Sequence, residues 1–321
     1  MLVPILLFVL GLVLLIKGGD WFVDGATGIA HRFHVPELII GATVVSIGTT
    51  LPEVMVSATS ALGGHGEIAY GNAIGSIICN TSLIAAITIA IKPAPVDTKA
   101  LKMPVIFFFL SAAIYCVVAY FTGYFYRWVG ILLLAVFAVY MFLTVRQGFK
   151  KPAHSEETAQ EAPTGSMVKD IILLVVGAAL IAVGADLLVD NGTIIAEALG
   201  VPESVIALTF VALGTSLPEL VTAITSLVKG HGALSLGNII GANIFNLVLV
   251  SGVSVTLAPF EVPQSSVLFG RNASLVLDIP VMLAVMALLT IPALARKKLS
   301  RWQGIVLLMI YAAFCVVQFT M

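Results

Sequence analysis

The sequence predicts an all-α membrane protein of ten transmembrane helices, built as two inverted five-helix repeats with broken helices 2, 3, 7 and 8. Three observations carry this expectation. Of 321 residues, 60% are hydrophobic and 10% charged, whereas a soluble domain carries about 25% charged residues. Apolar runs such as Leu2 to Ile16, Ile106 to Tyr120 and Ile131 to Val145 recur along the chain, each close to the roughly 20 residues that cross a hydrocarbon core of about 30 Å. The second half of the chain also repeats the first.

The charge balance narrows the partners. Sixteen Lys and Arg against seventeen Asp and Glu leave a formal charge of −1, so no basic surface points to nucleic acid. Lipid and small ions remain, with no obligate protein partner evident. Cys79, Cys116 and Cys315 lie in apolar runs without metal-ligand spacing and read as buried thiols. The first apolar run, with no basic residues before it and no small-residue cleavage site, reads as a transmembrane helix rather than a signal peptide.

Apolar spans between polar or Gly/Pro breaks place helices at approximately 3–30, 36–62, 68–91, 101–121, 127–146, 168–198, 203–228, 233–257, 273–294 and 301–319. Residues 147–166, with Lys150, Lys151, Pro152, Glu156, Glu157, Glu161, Pro163 and Gly165, alone have linker composition. They divide a first repeat, 1–146, from a second, 167–321. Sliding the chain by 166 residues aligns Gly18–Asn80 with Gly184–Asn246 without a gap, and 29 of 63 positions are identical. Five helices per copy force the second copy to enter the membrane upside down, a plan that puts a transport site at the repeat interface near the midplane. Thirteen basic residues fall at one side and two, Arg127 and Arg271, at the other. The positive-inside rule then puts both termini outside and the linker in the cytoplasm, and the expected location is a plasma (inner) membrane.

The chemistry concentrates in Gly48-Thr49-Thr50-Leu51-Pro52-Glu53 of helix 2 and Gly214-Thr215-Ser216-Leu217-Pro218-Glu219 of helix 7. Proline lacks an N–H and clashes with the carbonyl four residues back, which releases backbone carbonyls. Thr49 and Thr50 stand four and three residues before Glu53, so hydroxyls and carboxylate share a face. An all-oxygen ligand set suits hard cations such as Ca²⁺ and Na⁺. Ionisable groups within the hydrocarbon are costly and mark function. Helices 3 and 8 add Asn72, Ser76 and Asn80 at steps of four, and Asn238 and Asn246 with Ala242 between them. For Asn72 and Asn238 a role as interhelical glue stays open, while the deeper amides face the ion. Asp20, Asp24, Asp186 and Asp190 read as solvated or hydrogen-bonded helix-end acids. His65 and His231, in matching Gly-His-Gly turns, read as turn residues.

With these paired motifs the sequence resembles the sodium/calcium exchanger superfamily over nearly its whole length. The resemblance implies ten helices, no cofactor, and Ca²⁺ and Na⁺ as transported ions. It implies calcium ligands Glu53, Glu219, Thr49 and Thr215, with Asn80 and Asn246 beside them. An outward-side sodium site would use Ser76, Ser216 and the Ala212 carbonyl, and an inward-side site Thr50 and the Ser46 carbonyl. Thr50 replaces the usual Ser, Ala242 the Ser that would match Ser76, and Ile77 the Asn that Asn243 retains. The first two fall at the inward sodium site and put its affinity in question. Neutral Asn246 argues against potassium co-transport. The function implied is a secondary active antiporter that exchanges sodium for calcium by alternating access, not an enzyme. The alternative is a proton/calcium or other divalent cation antiporter, whose relatives place a glutamate where Gly75 and Gly241 stand here.

Overall fold

The computed structural model describes residues 2–150, 166–199, 214–264 and 267–320. In chain order its helices are α1 Leu2–Arg32, α2 Glu37–Leu62, α3 Gly66–Ile91, α4 Thr98–Thr122 and α5 Arg127–Lys150. The second half supplies α6 Met167–Ala198, α7 Leu217–Val228, α8 Gly232–Leu257, α9 Ser274–Arg296 and α10 Arg301–Thr320. Among the described residues, nine of the ten are long and apolar enough to cross a membrane, and α7 is shorter. The part of the expected seventh helix over 203–213 lies outside the described residues, as do positions 151–165 of the expected linker. The first residues of that linker continue α5 to Lys150.

The apolar surface is turned outward where lipid would meet it. Phe121, Leu2 and Phe142 are among the exposed large side chains, a cost in water but not in hydrocarbon. The interior is formed by α3 and α8, whose side chains from Ile74 to Ile78 and from Ile239 to Val248 are mostly buried.

Helix pairing follows the internal repeat. A methyl group at Gly11 would sit 2.8 Å from the Gly184 carbonyl oxygen, and one at Gly18 would sit 2.9 Å from that of Gly177. Gly11 and Gly177 are repeat mates, as are Gly18 and Gly184, so α1 and α6 cross through a reciprocal contact. Only glycine permits backbones to meet this closely, the packing device that membrane helices use without a hydrophobic driving force between them.

The breaks in the central helices are π-turns. α2 carries one at Gly41–Val45, then resumes as α-helix from Ser46 through Pro52 to Leu62. α3 and α8 carry matching π-turns at Asn80–Ala85 and Asn246–Val250, each beginning at an asparagine of the duplicated motif. α9 starts with another, Ser274–Asp278. Such turns widen the helix and disturb the regular carbonyl ladder, and they concentrate at functional positions.

Loops beyond the helices pair by backbone bonding that the apolar pattern did not announce. Strands β1 Tyr124–Phe125 and β2 Phe260–Glu261 run antiparallel, joining the α4–α5 and α8–α9 connections, and β3 Val267–Leu268 pairs with β4 Arg271–Asn272. Phe125 is buried between Tyr115 and Phe260. At the start of α4, Asp97 accepts from the Lys99 and Ala100 N–H groups at 2.8 and 3.3 Å, the usual helix N-cap arrangement. That cap extends the helix three residues beyond the apolar span.

Candidate functional site

Glu53 and Glu219 project from α2 and α7 into the repeat interface. Both are fully buried, and none of their four carboxylate oxygens has a hydrogen-bond partner. They lie within electrostatic reach of each other, and the Thr49 and Thr50 hydroxyls neighbour the Glu219 carboxylate. Two buried carboxyl groups with free lone pairs call for a compensating cation or a proton.

Neutral oxygens surround them. Thr49, Thr50, Ser216, Asn80, Asn246 and Ser46 are all buried. Thr50 Oγ1, Ser216 Oγ and both side-chain polar atoms of Asn80 and Asn246 are likewise without hydrogen-bond partners. The π-turn that begins at Asn246 packs against the part of α2 that carries Glu53, and the π-turn that begins at Asn80 packs against α7, which carries Glu219. Each asparagine is thereby brought to the carboxylate helix of the opposite repeat. Buried polar groups are nearly always paired, so this many unpartnered polar atoms on helices that pack together mark a candidate oxygen-rich binding site. Among the described residues no three His, Cys, Asp or Glu side chains converge as a metal cluster. The acceptors are mainly hydroxyls and amides, which suit hard cations.

The remaining expected ligands are placed less uniformly. Ser76 is buried and Thr215 half-buried, and both line a cavity of about 580 Å³ together with Asn72, Glu67, Asp278 and Gln318. The Ser46 hydroxyl is 2.8 Å from the Gly41 carbonyl and 3.2 Å from Asn238 Oδ1. Ala212 lies outside the described residues. Ala242 is fully buried beside Gly241, and no side-chain oxygen stands at its place.

Asn72 and Asn238, for which a role as glue stood open, are wired into the site. Thr49 Oγ1 donates to Asn238 Oδ1 at 3.2 Å, and Thr215 Oγ1 donates to Asn72 Oδ1 at 3.3 Å. Asn72 Nδ2 donates to the Glu53 carbonyl at 3.2 Å and to Ser57 Oγ at 2.8 Å. Asp278 was not singled out by the sequence. It accepts from Gln318 Nε2 at 2.7 Å on the cavity wall. An acid inside an apolar run was the signal that could have found it.

At the face that collects the basic residues, charged side chains tie helices together. Lys229 reaches Asp24 at 2.7 Å and Asp20 at 3.5 Å, and Arg32 reaches Asp170 at 2.8 Å. His231 is more than a turn residue: its Nδ1 lies 2.8 Å from Glu37 Oε1. Asp20 and Asp24 act as partners of Lys229 and belong to helix packing.

The chain matches the sodium/calcium exchanger protein family over residues 3–146 and 169–320. It belongs to that family. Among curated relatives it is 33% identical over 353 aligned positions to a sodium/calcium exchanger, MaX1, of Methanosarcina acetivorans, covering 99% of each chain. It is 38% identical over 307 positions to an uncharacterized membrane protein of Methanocaldococcus jannaschii, covering 95% of this chain and 94% of the other. Structures of the sodium-calcium exchanger NCX_Mj are similar throughout. One, soaked with zero Na⁺ and Ca²⁺, superposes with a TM-score of 0.83 at 33% identity and 99% coverage of both chains. As an exchanger-family protein the chain is an integral multi-pass membrane transporter with the ten-helix inverted-repeat plan.

Proposed function

We propose that this protein exchanges sodium for calcium across the membrane by secondary active antiport, with Glu53 and Glu219 as the shared cation ligands. The observation that carries the reading is the pair of fully buried carboxylates without hydrogen-bond partners. Their two negative charges match one Ca²⁺, or Na⁺ ions that occupy overlapping positions. An interior holding two uncompensated charges resists rearrangement, because charge in a low-dielectric medium is strongly disfavoured. A cation-loaded site rearranges readily. Release of one ion on a given side therefore has to be followed by loading of another before the site returns, which couples the two fluxes.

Thr49, Thr215, Asn80 and Asn246 supply neutral oxygens to the calcium position in this reading. Ser76, Ser216 and the Ala212 carbonyl serve a sodium ion on one side, and Thr50 with the Ser46 carbonyl serves one on the other. The units are a repeat over 1–146, a linker over 147–166 and a repeat over 167–321. Both termini face outward from a plasma (inner) membrane, and the linker lies in the cytoplasm; the bias of basic residues supports this orientation. Neither a resident cofactor nor bond-breaking chemistry is needed.

Calcium-45 uptake into sodium-loaded proteoliposomes tests the function, with choline-loaded and proton-gradient controls. Uptake that requires internal sodium is expected. Equal uptake into choline-loaded vesicles, or uptake driven by protons alone, overturns the assignment of sodium as the coupling ion.

A further inference from the structure

We propose that Asn72 and Asn238 are positioning residues for the ion site: each takes the hydroxyl proton of the threonine in the opposite repeat, so that the threonine oxygen faces the cation with its lone pairs. This rests on the function proposed above and adds to it the means by which neutral ligands are oriented.

The local alternative is visible throughout the protein. A serine or threonine inside a helix ordinarily turns its hydroxyl back to the carbonyl four residues earlier. Thr43 does so to Ile39 at 2.7 Å, Thr59 to Met55 at 2.8 Å, Ser111 to Phe107 at 2.7 Å and Ser254 to Val250 at 2.8 Å. Thr49 sits well inside α2 and departs from this habit, donating instead across the repeat interface to Asn238 Oδ1. Its oxygen is thus held at the interface, beside the Glu219 carboxylate. Thr215 does the same towards Asn72. Thr49 and Thr215 are repeat mates, and so are Asn72 and Asn238, so the two bonds are one relation used twice.

The direction of the bond decides its usefulness. A hydroxyl has one proton and two lone pairs. If the amide nitrogen faced the threonine, it would consume a lone pair and leave the hydroxyl proton aimed elsewhere. At Asn72 this orientation is excluded by chemistry: Nδ2 faces the Glu53 carbonyl, which can only accept. Oδ1 must therefore face Thr215, and the hydroxyl proton is drawn away from the ion. At Asn238 the same oxygen, Oδ1, faces Thr49, while Nδ2 has no hydrogen-bond partner. Asn72 also holds the backbone of Glu53 itself, so one amide fixes a carboxylate-bearing turn of its own repeat and a hydroxyl ligand of the other.

A double-mutant cycle on calcium binding tests the proposal. Purified protein is titrated with calcium and the apparent affinity read from the calcium-induced rise in melting temperature. Asn72→Ala is expected to weaken binding by roughly three- to tenfold, the worth of one hydrogen bond. In a Thr215→Val background the same change should add less than about twofold, because the partner is already gone. In a Thr49→Val background it should keep its full effect. Asn238→Ala should show the mirror pattern, silent with Thr49→Val and fully effective with Thr215→Val, and this pair gives an independent reading if either asparagine variant folds poorly. Coupling confined to these two cross-repeat pairs supports the proposal. Effects that multiply within each pair overturn it, as does equal coupling to either threonine. Glu53→Gln and Glu219→Gln are run alongside: if they leave calcium stabilisation intact, the site itself is wrong, whereas if they abolish it and the cycles multiply, only the positioning role fails.

Discussion

The Tyr140 hydroxyl on α5 donates to the Ala42 carbonyl on α2 at 3.1 Å, in the middle of the π-turn Gly41–Val45. Tyr140 is fully buried. Neighbouring hydroxyls close other carbonyls of these turns: Ser46 lies 2.8 Å from the Gly41 carbonyl and Ser251 lies 3.0 Å from that of Asn246, each five residues along. A π-turn inside a membrane disturbs backbone pairing that lipid cannot restore. Side chains of other helices and of the next turn supply it instead. Tyr140→Phe keeps the ring and removes the donor, and is expected to destabilise the protein by about 1–3 kcal/mol. Thermal unfolding in detergent reads this directly, and an unchanged midpoint would show that the π-turn does not depend on α5.

Loss of either carboxylate should end transport. Glu53→Gln and Glu219→Gln preserve shape while removing one of the two charges that compensate the dication. Calcium-45 flux is expected to fall to background with insertion and monodispersity retained. Near-normal flux in either variant would remove that residue from the site.

The two sodium positions should differ. Ser76 is present on one side, and its repeat mate on the other is Ala242, which lacks a side-chain oxygen. A cation shell that loses a neutral oxygen loses an ion–dipole contact unless water fits in its place. Ala242→Ser should strengthen sodium dependence on the cytoplasmic face, and Ser76→Ala should weaken it on the outer face. Initial flux against sodium, measured on each face of oriented vesicles, checks this. Equal sodium affinities unmoved by Ala242→Ser would mean the ligands are misplaced.

The α1–α6 crossing should tolerate no side chain. Gly18→Ala would put a methyl 2.9 Å from both the Gly177 carbonyl oxygen and the Ile181 nitrogen. Backbone cannot yield as a flexible side chain does, so a cost of roughly 1–3 kcal/mol is expected. By contrast, Lys229→Met removes pairs to Asp20 and Asp24 in which Lys229 and Asp24 are 25% and 51% exposed, and partly solvated pairs are worth only about 0–1 kcal/mol. Melting temperatures of the two variants should therefore rank clearly, with the glycine variant lower.

Orientation is open to a direct check. Cysteine at His65, in the exposed α2–α3 turn, should react with membrane-impermeant reagents in intact cells, and cysteine at exposed Lys298 only after the cells are opened. The reverse pattern would invert the topology.

The sequence by itself determined the architecture and which polar residues the candidate site could draw on. Glutamate, asparagine and proline within apolar segments are too costly to recur in register by chance, so their duplication at an offset of 166 residues exposed both the repeat and the candidate ligand types. The tertiary structure decided which residues meet. Thr49 meets Asn238 and Thr215 meets Asn72 because an inverted repeat apposes different positions of the two copies, a relation that no local spacing encodes. It also decided that α2 runs unbroken through Pro52 and bends its ladder earlier, at Gly41–Val45, and that His231 finds Glu37 while its repeat mate His65 stays exposed. These outcomes depend on which carbonyls and charges neighbouring helices can satisfy, and only the packed chain brings those helices together.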